Sequence, residues 1–186
     1  MIETLRDFVE KMNALGIEYM VTGSYAMSAY GEIRMTRDID VVVQLSENQL
    51  KSFFDKFKDG YYISDESIRR AIERRSMFNI VSLLHGGKVD CIVQKDTEFA
   101  RRSFARRYKV NVGDVEFWTT TKADLIIAKL NWARDSHSAI QIRDIANLTG
   151  PEYDSEYVGD WISRLGLDEI WSEVEEWKIQ HKTQND

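Results

Sequence analysis

The run Asp38-Ile39-Asp40-Val41-Val42-Val43 constrains the fold more than any other part of this 186-residue chain. A short run rich in β-branched residues predicts a β-strand, here from Asp38 to Leu45. Side chains two apart in a strand point to the same face, so Asp38 and Asp40 project together while Ile39 and Val41 face the core. Two carboxylates on one face repel each other, so the pair requires a positive partner.

A metal ion is one partner that suits this carboxylate pair. Hard divalent cations prefer oxygen ligands, and Mg²⁺ leads the candidates, with Mn²⁺ as an alternative. Two such ions about 4 Å apart can activate a hydroxyl and stabilise a leaving pyrophosphate. The competing interpretation is a polar strand end in which Asp38 and Asp40 form ion pairs with Arg34 or Arg37.

Gly23-Ser24 separates a short apolar strand, Tyr19 to Thr22, from a predicted helix that begins near Tyr25. Glycine lets the backbone approach a ligand closely, and a helix N-terminus offers free N–H groups. Ser24 adds a hydroxyl, so the segment could hold a triphosphate. The alternative is an ordinary tight turn with a serine N-cap. The Gly-x-x-x-x-Gly-Lys-Ser/Thr pattern of a P-loop is absent.

Asp90 is the third acidic candidate, because it lies near the start of the apolar strand Lys88 to Val93. His85-Gly86-Gly87 has turn chemistry and predicts a hairpin with the run Phe78 to Leu84. Beside Asp38 and Asp40 on a neighbouring strand, Asp90 would complete a carboxylate triad. It could act as general base toward an attacking hydroxyl or bind the metal that activates it. The alternative is that Asp90 is a lone aspartate whose charge keeps the edge of the strand solvated.

The order of elements predicts an α+β fold, with a mixed β-sheet core flanked by helices and a helical C-terminal part. We expect the core to span residues 1–118 and the helical part residues 119–186. Periodic apolar positions predict a first helix up to Leu15, ended by Gly16, and a helix from about Asp65 to Arg74. Ser46 is a candidate cap for another helix. The predicted C-terminal helices are 123–133, 140–148, 161–165 and 170–177.

The composition argues for an acidic protein of the cytoplasm. The formal net charge is −6, which disfavours a general nucleic-acid binder. Basic residues cluster in Arg101 to Lys109 and in Arg69 to Arg75, and we interpret both as solvated faces. The single cysteine, Cys91, is expected in the core and suits a reducing compartment. No apolar run reaches the length of about 20 residues that a membrane span requires, so no membrane partner is expected.

The segment GSYAMSAYGEIRMTRDIDVVV resembles the signature of the nucleotidyltransferase superfamily that includes DNA polymerase beta. That signature is a hydrophobic-Gly-Gly/Ser step, a spacer, and Asp-hydrophobic-Asp. The spacer here, Tyr25 to Arg37, has 13 residues and is more like that of the AbiEii-like and antibiotic-modifying branches. The resemblance implies a nucleoside triphosphate substrate, a Mg²⁺ site at Asp38, Asp40 and Asp90, and phosphate binding at Gly23 and Ser24.

The C-terminal pattern is similar to the closing helices of AbiEii-like proteins, of which this chain looks like a minimal version. The resemblance implies that Lys129 contacts phosphate or substrate and that Asp144 contacts nucleotide. Arg34 and Arg37 are further candidates for neutralising phosphate charge. The resemblance also implies transfer of a nucleoside monophosphate to an acceptor, which could be a tRNA, a protein or a small molecule. It further implies a toxin or antitoxin partner, or a role in phage defence. The alternative is a non-catalytic member that binds nucleotide or protein.

Overall fold

The computed structural model describes residues 1–32, 36, 38–150 and 152–182, and it confirms the α+β class. In chain order the elements are α1 Ile2–Leu15, β1 Tyr19–Thr22, α2 Gly23–Ala26 with a 3₁₀ turn Met27–Tyr30, β2 Asp38–Val43, α3 Glu47–Phe57, β3 Tyr61–Tyr62, α4 Asp65–Arg74, β4 Met77–Ser82, β5 Lys88–Val93, α5 Glu98–Ala105, β6 Tyr108–Val112, β7 Val115–Thr119, α6 Lys122–Ser136, α7 Ala139–Leu148, α8 Ser155–Leu165 and α9 Asp168–Lys182.

The strands form one mixed sheet in the order β3-β4-β5-β2-β1-β7-β6. β2 lies at its centre, antiparallel to β1 and parallel to β5. β4 and β5 form the predicted antiparallel hairpin, and β6 and β7 form a second one. Parallel neighbours need a long crossover, and the chain between β2 and β5 supplies it. The two strands that carry the predicted acidic triad are therefore direct neighbours in the sheet.

Two compact units can be distinguished in the fold. The first comprises residues 1–29 and 33–120, and the second comprises residues 30–32 and 121–186. The sheet belongs to the first unit, and α6 to α9 belong to the second. The division falls two residues after the boundary expected from the sequence between residues 118 and 119. The expected boundary, and the expectation that the helical part packs on the core, stay predictions.

An aromatic cluster forms part of the core of the first unit. The Phe57 ring stacks on Phe53 with centroids 4.5 Å apart and lies 5.2 Å from Tyr61 and 5.6 Å from Phe8. All four side chains are at most 2% exposed. They come from α1, α3 and β3, so burial of large apolar side chains fixes these elements on the sheet. Leu5 and Met12 of α1 complete the apolar stripe that the sequence predicts.

The second unit is a set of four helices with its own apolar interior. Leu125, Leu130 and Ile145 are fully buried, and Trp161 and Val174 are at most 2% exposed. Each of these helices begins earlier than the sequence predicted. The prediction followed the apolar positions, whereas the helices begin before them, in polar flanking residues for α8 and α9. None of the helices in the described ranges combines the length and apolarity needed to cross a membrane.

Three local differences separate the predicted elements from the observed ones. The helix after β1 begins at Gly23 and not at Tyr25. Leu83 and Leu84 lie in the β4–β5 turn with exposures of 66% and 80%, because β4 ends at Ser82. The basic stretch from Arg101 is partly helical, as α5, since Thr97 caps an amphipathic segment by accepting a hydrogen bond from the Ala100 N–H. The cap predicted at Ser46 is present.

Candidate active site

Asp38, Asp40 and Asp90 lie on one face of the central strand pair. The parallel register aligns Asp40 with Asp90 and Asp38 with Lys88. Ile39, the residue between the two acids of β2, is fully buried, so the alternation expected from the sequence is confirmed. Neighbouring strands lie about 4.8 Å apart, which brings the Asp40 and Asp90 carboxylates within reach of one ligand. The structure therefore juxtaposes the three acids that the sequence proposed as a triad.

Lys88 also lies in this cluster, and the sequence reasoning missed it. Its Nζ is 2.8 Å from Asp90 Oδ2 and 3.2 Å from Asp38 Oδ2, so one ammonium bridges two of the three carboxylates. The hydrogen bond to Asp90 is the largest of the effects that raise the pKa of Lys88. The signal was available, because Lys88 lies two residues before Asp90 in a strand and must share its face.

The Asp38 carboxylate is positioned by two donors. The Thr36 hydroxyl lies 3.0 Å from Asp38 Oδ1, while Lys88 binds the other oxygen. Partial burial is the largest single influence on the pKa of Asp38 and raises it, but the hydrogen bonds from Lys88 and Thr36 together outweigh burial and lower the pKa. Asp38 is therefore held as a carboxylate, the form that binds a cation. The expected partners Arg34 and Arg37 lie outside the described residues.

Asp90 has one oxygen without a hydrogen-bond partner. Oδ2 accepts from Lys88, whereas Oδ1 is buried and unpartnered within the part of the chain that the structure describes. A buried carboxylate oxygen without a partner is costly, so such atoms often mark a place where a ligand or ion binds. Asp90 is only 6% exposed. Its Oδ1 is thus a candidate ligand atom or proton acceptor.

Gly23 packs directly against Asp40. A Cβ added at Gly23 would lie 1.9 Å from Asp40 Oδ2 and 2.7 Å from Asp40 Cγ, and the Gly23 φ of +62° is in the left-handed region. Both the space and the backbone conformation therefore require glycine. The close approach brings the β1–α2 turn next to the Asp40 carboxylate, on the neighbouring strand of the sheet.

Ser24 follows Gly23 inside the first turn of α2. The N-cap of this helix is Thr22, so the alternative of a serine N-cap is wrong. α2 has four residues and continues as a 3₁₀ turn, so its dipole is weaker than that of the longer helix expected from the sequence. The support for a phosphate site here therefore comes from the position of Gly23-Ser24 beside Asp40. A role for Ser24 in phosphate binding stays a prediction.

Lys129 and Asp144, predicted to contact the substrate, bond to each other within the second unit. Lys129 Nζ lies 3.0 Å from Asp144 Oδ2 and 3.0 Å from Gln141 Oε1. Lys129 is 4% exposed and Asp144 is 1% exposed. A buried ion pair that joins α6 to α7 has a structural function by itself. Contact of either side chain with nucleotide stays a prediction.

The basic clusters are engaged with neighbouring acids. Arg107 pairs with Glu18 at 2.5 Å and Lys109 pairs with Glu116 at 2.6 Å. On α4, Arg69 and Arg70 pair with acids one turn earlier. The exposed pairs agree with the interpretation of solvated faces, but Arg107 does not, because its side chain is only 14% exposed and packs against Phe104 and Trp118. Cys91 is fully buried as expected, and burial raises the pKa of its thiol, which disfavours a role as nucleophile.

The described acidic residues around Asp40 offer the oxygen ligands that a divalent cation prefers, but they do not form a metal site in the observed conformation. Within residues 1–32, 36, 38–150 and 152–182, no three histidine, cysteine or acidic side chains are grouped closely enough to hold a metal ion in the observed conformation. Asp38 and Asp90 instead share the Lys88 ammonium. Yet all the carboxylates face one way, and Asp90 Oδ1 is unpartnered. Carboxylate oxygens of this kind are the ligands that Mg²⁺ and Mn²⁺ prefer.

Comparison with known proteins concerns the family and the fold of the chain. Residues 2–149 match the family described as "Nucleotidyltransferase of unknown function (DUF6036)". No curated protein sequence matches the chain. The fold is similar to that of the lincosamide antibiotic adenylyltransferase LnuA in its lincomycin-bound crystal structure, with 14% identity, a TM-score of 0.55 and coverage of 81% of this chain and 97% of LnuA.

A second solved structure with a similar fold is an antigenic nucleotidyltransferase-like protein from Paracoccidioides brasiliensis. It is 16% identical, with a TM-score of 0.53 and coverage of 92% of this chain and 91% of that protein. At these identities the likeness concerns the fold alone. The match of the family to most of the chain goes further: this protein belongs to the DUF6036 family of nucleotidyltransferases and is a member of the nucleotidyltransferase superfamily.

Proposed function

We propose that this protein transfers a nucleoside monophosphate from a nucleoside triphosphate to a hydroxyl acceptor, with Mg²⁺ as its metal ion and Mn²⁺ as a substitute. The observation that carries the proposal is the register of β2 and β5, which aligns Asp40 with Asp90 and leaves Asp38 on the same face. The family match supports nucleotidyl transfer in general. The metal, the donor and the acceptor class are the parts that we add.

The chemistry needs one bond formed and one broken. The acceptor oxygen attacks the α-phosphorus of the triphosphate, and the bond from that phosphorus to the oxygen that bridges to the β-phosphate breaks. Pyrophosphate leaves with the bonding electron pair. When bound, two Mg²⁺ ions would lower the pKa of the acceptor hydroxyl and stabilise the charge on the leaving pyrophosphate.

The residues of this chain have distinct proposed roles in that reaction. Asp38 and Asp40 would bind the metal, and the Thr36 hydroxyl orients the Asp38 carboxylate. Asp90 presents its unpartnered Oδ1 either to the metal or to the proton of the attacking hydroxyl. Gly23, which packs against Asp40, and Ser24, which follows it, would offer backbone N–H groups and a hydroxyl to the triphosphate oxygens.

Residues beyond the carboxylate cluster have supporting roles in the proposal. Arg34, Arg37 and Lys129 would neutralise phosphate charge, and Asp144 would contact the nucleotide. Lys129 Nζ and Asp144 Oδ2 lie 3.0 Å apart and both side chains are buried, so either residue could contact the substrate only if their ion pair were weakened. We therefore rank them below the carboxylates as targets for mutation.

The test is a transfer assay with labelled nucleoside triphosphates, Mg²⁺ and a cell lysate as the source of acceptor. The wild-type protein should label an acceptor, and Asp38→Asn/Asp40→Asn should not. Asp55→Asn/Asp114→Asn is the matched control, because it removes two carboxylates that are exposed and pair with lysine or arginine elsewhere in the first unit. Absence of transfer by wild type, or equal transfer by the Asp38/Asp40 variant, would contradict catalysis.

The acceptor can be assigned from the same experiment by its chemistry. Sensitivity of the labelled product to ribonuclease indicates a tRNA, sensitivity to protease indicates a protein, and a product that passes a small-pore filter indicates a small molecule. LnuA is a lincosamide antibiotic adenylyltransferase, so a lincosamide is a reasonable first small molecule to add. The AbiEii-like pattern supports a toxin–antitoxin or phage-defence setting, which an adjacent toxin or antitoxin gene would test.

A non-catalytic nucleotide-binding function is the second candidate, and Lys88 is the observation that favours it. A lysine that already neutralises Asp38 and Asp90 could make the metal dispensable for stability. Calorimetry separates the two functions. Nucleotide binding that persists with excess chelator, without transfer in the labelled assay, supports the non-catalytic function, whereas binding that requires Mg²⁺ supports the enzyme.

A further inference from the structure

Lys88 is a charged residue of the acidic cluster to which the proposed function assigns no role. It belongs to β5, shares a face with Asp90, and aligns with Asp38 across the parallel strand pair. Its ammonium lies 2.8 Å from Asp90 Oδ2 and 3.2 Å from Asp38 Oδ2. It therefore bonds simultaneously to acids on two different strands.

The two carboxylates depend on this ammonium to different degrees. The Asp38 side chain is 39% exposed and has Thr36 as a further partner. The Asp90 side chain is 9% exposed, and Lys88 is the partner of its one bonded oxygen. A carboxylate this deeply buried needs a positive partner, since an isolated ion in a protein interior is costly. Lys88 thus supplies to Asp90 what a divalent cation would supply.

The ammonium and a divalent cation would use the same two carboxylates. Oδ2 of Asp38 and Oδ2 of Asp90 both bond to Lys88 Nζ, and Asp90 Oδ1, the proposed metal ligand, belongs to the same carboxylate as one of them. A cation held by these atoms would repel the ammonium at close range. Lys88 can leave, because its side chain is 37% exposed and has a flexible four-carbon stem.

We propose that Lys88 is a positioning residue that holds Asp38 and Asp90 together in the metal-free protein and competes with the divalent cation for them. This inference rests on the proposed function, because it requires that the carboxylates bind metal. Its consequence is that metal affinity is set by the cost of displacing an internal cation as well as by the ligands. Removal of the Lys88 charge should therefore tighten metal binding in the absence of any nucleotide.

The experiment is a titration of the full chain with Mn²⁺ alone, with free Mn²⁺ measured by electron paramagnetic resonance. Lys88→Met keeps much of the side-chain volume and removes the charge, and it should bind Mn²⁺ at least about tenfold more tightly than wild type, equivalent to about 1.4 kcal/mol. Lys88→Arg keeps the charge and should bind like wild type. Lys109→Met is the matched control, because Lys109 is an exposed lysine of another strand that pairs with Glu116.

A third variant locates the metal ion. Asp90→Asn in the Lys88→Met background should abolish the gain in affinity, because it removes the carboxylate that both cations use. Lys88→Gln serves as a second neutral variant should Lys88→Met not fold, and circular dichroism checks the fold of each protein. Mn²⁺ should also raise the melting temperature of Lys88→Met more than that of wild type, since it replaces the lost positive partner.

The outcomes separate this inference from the proposed function. Equal Mn²⁺ affinity of wild type and Lys88→Met, or weaker binding by Lys88→Met, overturns competition while the metal site itself stands. Absence of Mn²⁺ binding by wild type and both neutral variants overturns the metal site and the competition together. A gain that Asp90→Asn leaves intact also overturns the inference, because the ion would then bind elsewhere.

Discussion

Gly23→Ala is the substitution that most directly tests the geometry of the site. The new Cβ would lie 1.9 Å from Asp40 Oδ2, so this oxygen would have to move by about 1.5 Å to reach an ordinary contact distance of about 3.4 Å. Asp40 is only half-buried, and its carboxylate can turn toward solvent. The carboxylate would then no longer face Asp90. The expected damage is therefore to the site more than to the fold.

The losses expected for Gly23→Ala have two sources, the cost of alanine at a positive φ and the clash of its Cβ with Asp40. A non-glycine residue at this positive φ costs about 1–2 kcal/mol. Gly113 has the same φ of +62° and no atom within 4 Å of an added Cβ, so Gly113→Ala carries the backbone cost alone. We expect Gly113→Ala to lose about 1–2 kcal/mol of folding stability. Gly23→Ala should lose more, because Asp40 Cβ lies 2.9 Å from the added Cβ and does not move when the carboxylate turns. Only Gly23→Ala should lose nucleotidyl transfer, by about 100-fold, because a misplacement of about 1 Å has an effect of that size.

The assay pairs urea unfolding with transfer rate and Mn²⁺ titration for the two alanine variants. Both variants should still fold. Loss of activity and of Mn²⁺ affinity in Gly23→Ala alone would support the account that glycine is required here to leave room for the Asp40 carboxylate. Equal activity of Gly23→Ala and Gly113→Ala would refute the reasoning, since the clash with Asp40 would then have no functional consequence. Equal loss in both variants would refute it too, because a general backbone effect would explain it.

Two further predictions concern stability and pH. Lys129→Met should destabilise the chain by about 3–5 kcal/mol in urea unfolding because it leaves the buried Asp144 carboxylate without its ammonium. Lys129→Met/Asp144→Leu should recover most of that loss, and a double variant as unstable as the single one would contradict this account. Burial raises the pKa of Tyr19 to about 12, whereas the unfolded chain ionises near 10. Stability should therefore fall as pH rises from about 10 to 12, and Tyr19→Phe should flatten that slope.

The strands that carry the site were predictable because they are short apolar runs rich in β-branched residues. The positions of Asp38 and Asp40 on one face follow from the buried Ile39 and Val41 beside them. His85-Gly86-Gly87 predicted the hairpin that brings β4 to β5. Residue-level patterns thus predicted which side chains share a face within one strand. They also predicted the α+β class.

The register between strands was beyond local patterns. Alignment of Asp40 with Asp90 depends on parallel pairing across a long crossover, and nothing near either residue encodes it. The resemblance to nucleotidyltransferases supplied that link. Lys88 was missed for a different reason, because a lysine at a strand start is ordinary until its partners are known. The extent of α2 was missed because glycine seldom begins a helix body, whereas Gly23 does so beside Asp40.

The pairing of β2 with β5 also has a consequence for the order of folding. Asp40 and Asp90 are 50 residues apart in the chain and meet only after this parallel pairing, whereas the β4–β5 hairpin closes locally. Non-local strand pairing is slow because a large loop must close before any contact forms. The proposed ligand set is therefore incomplete until β2 and β5 pair, and a divalent ion has no assembled site to bind before that step. In this architecture metal binding would mark the completion of folding and could not nucleate it.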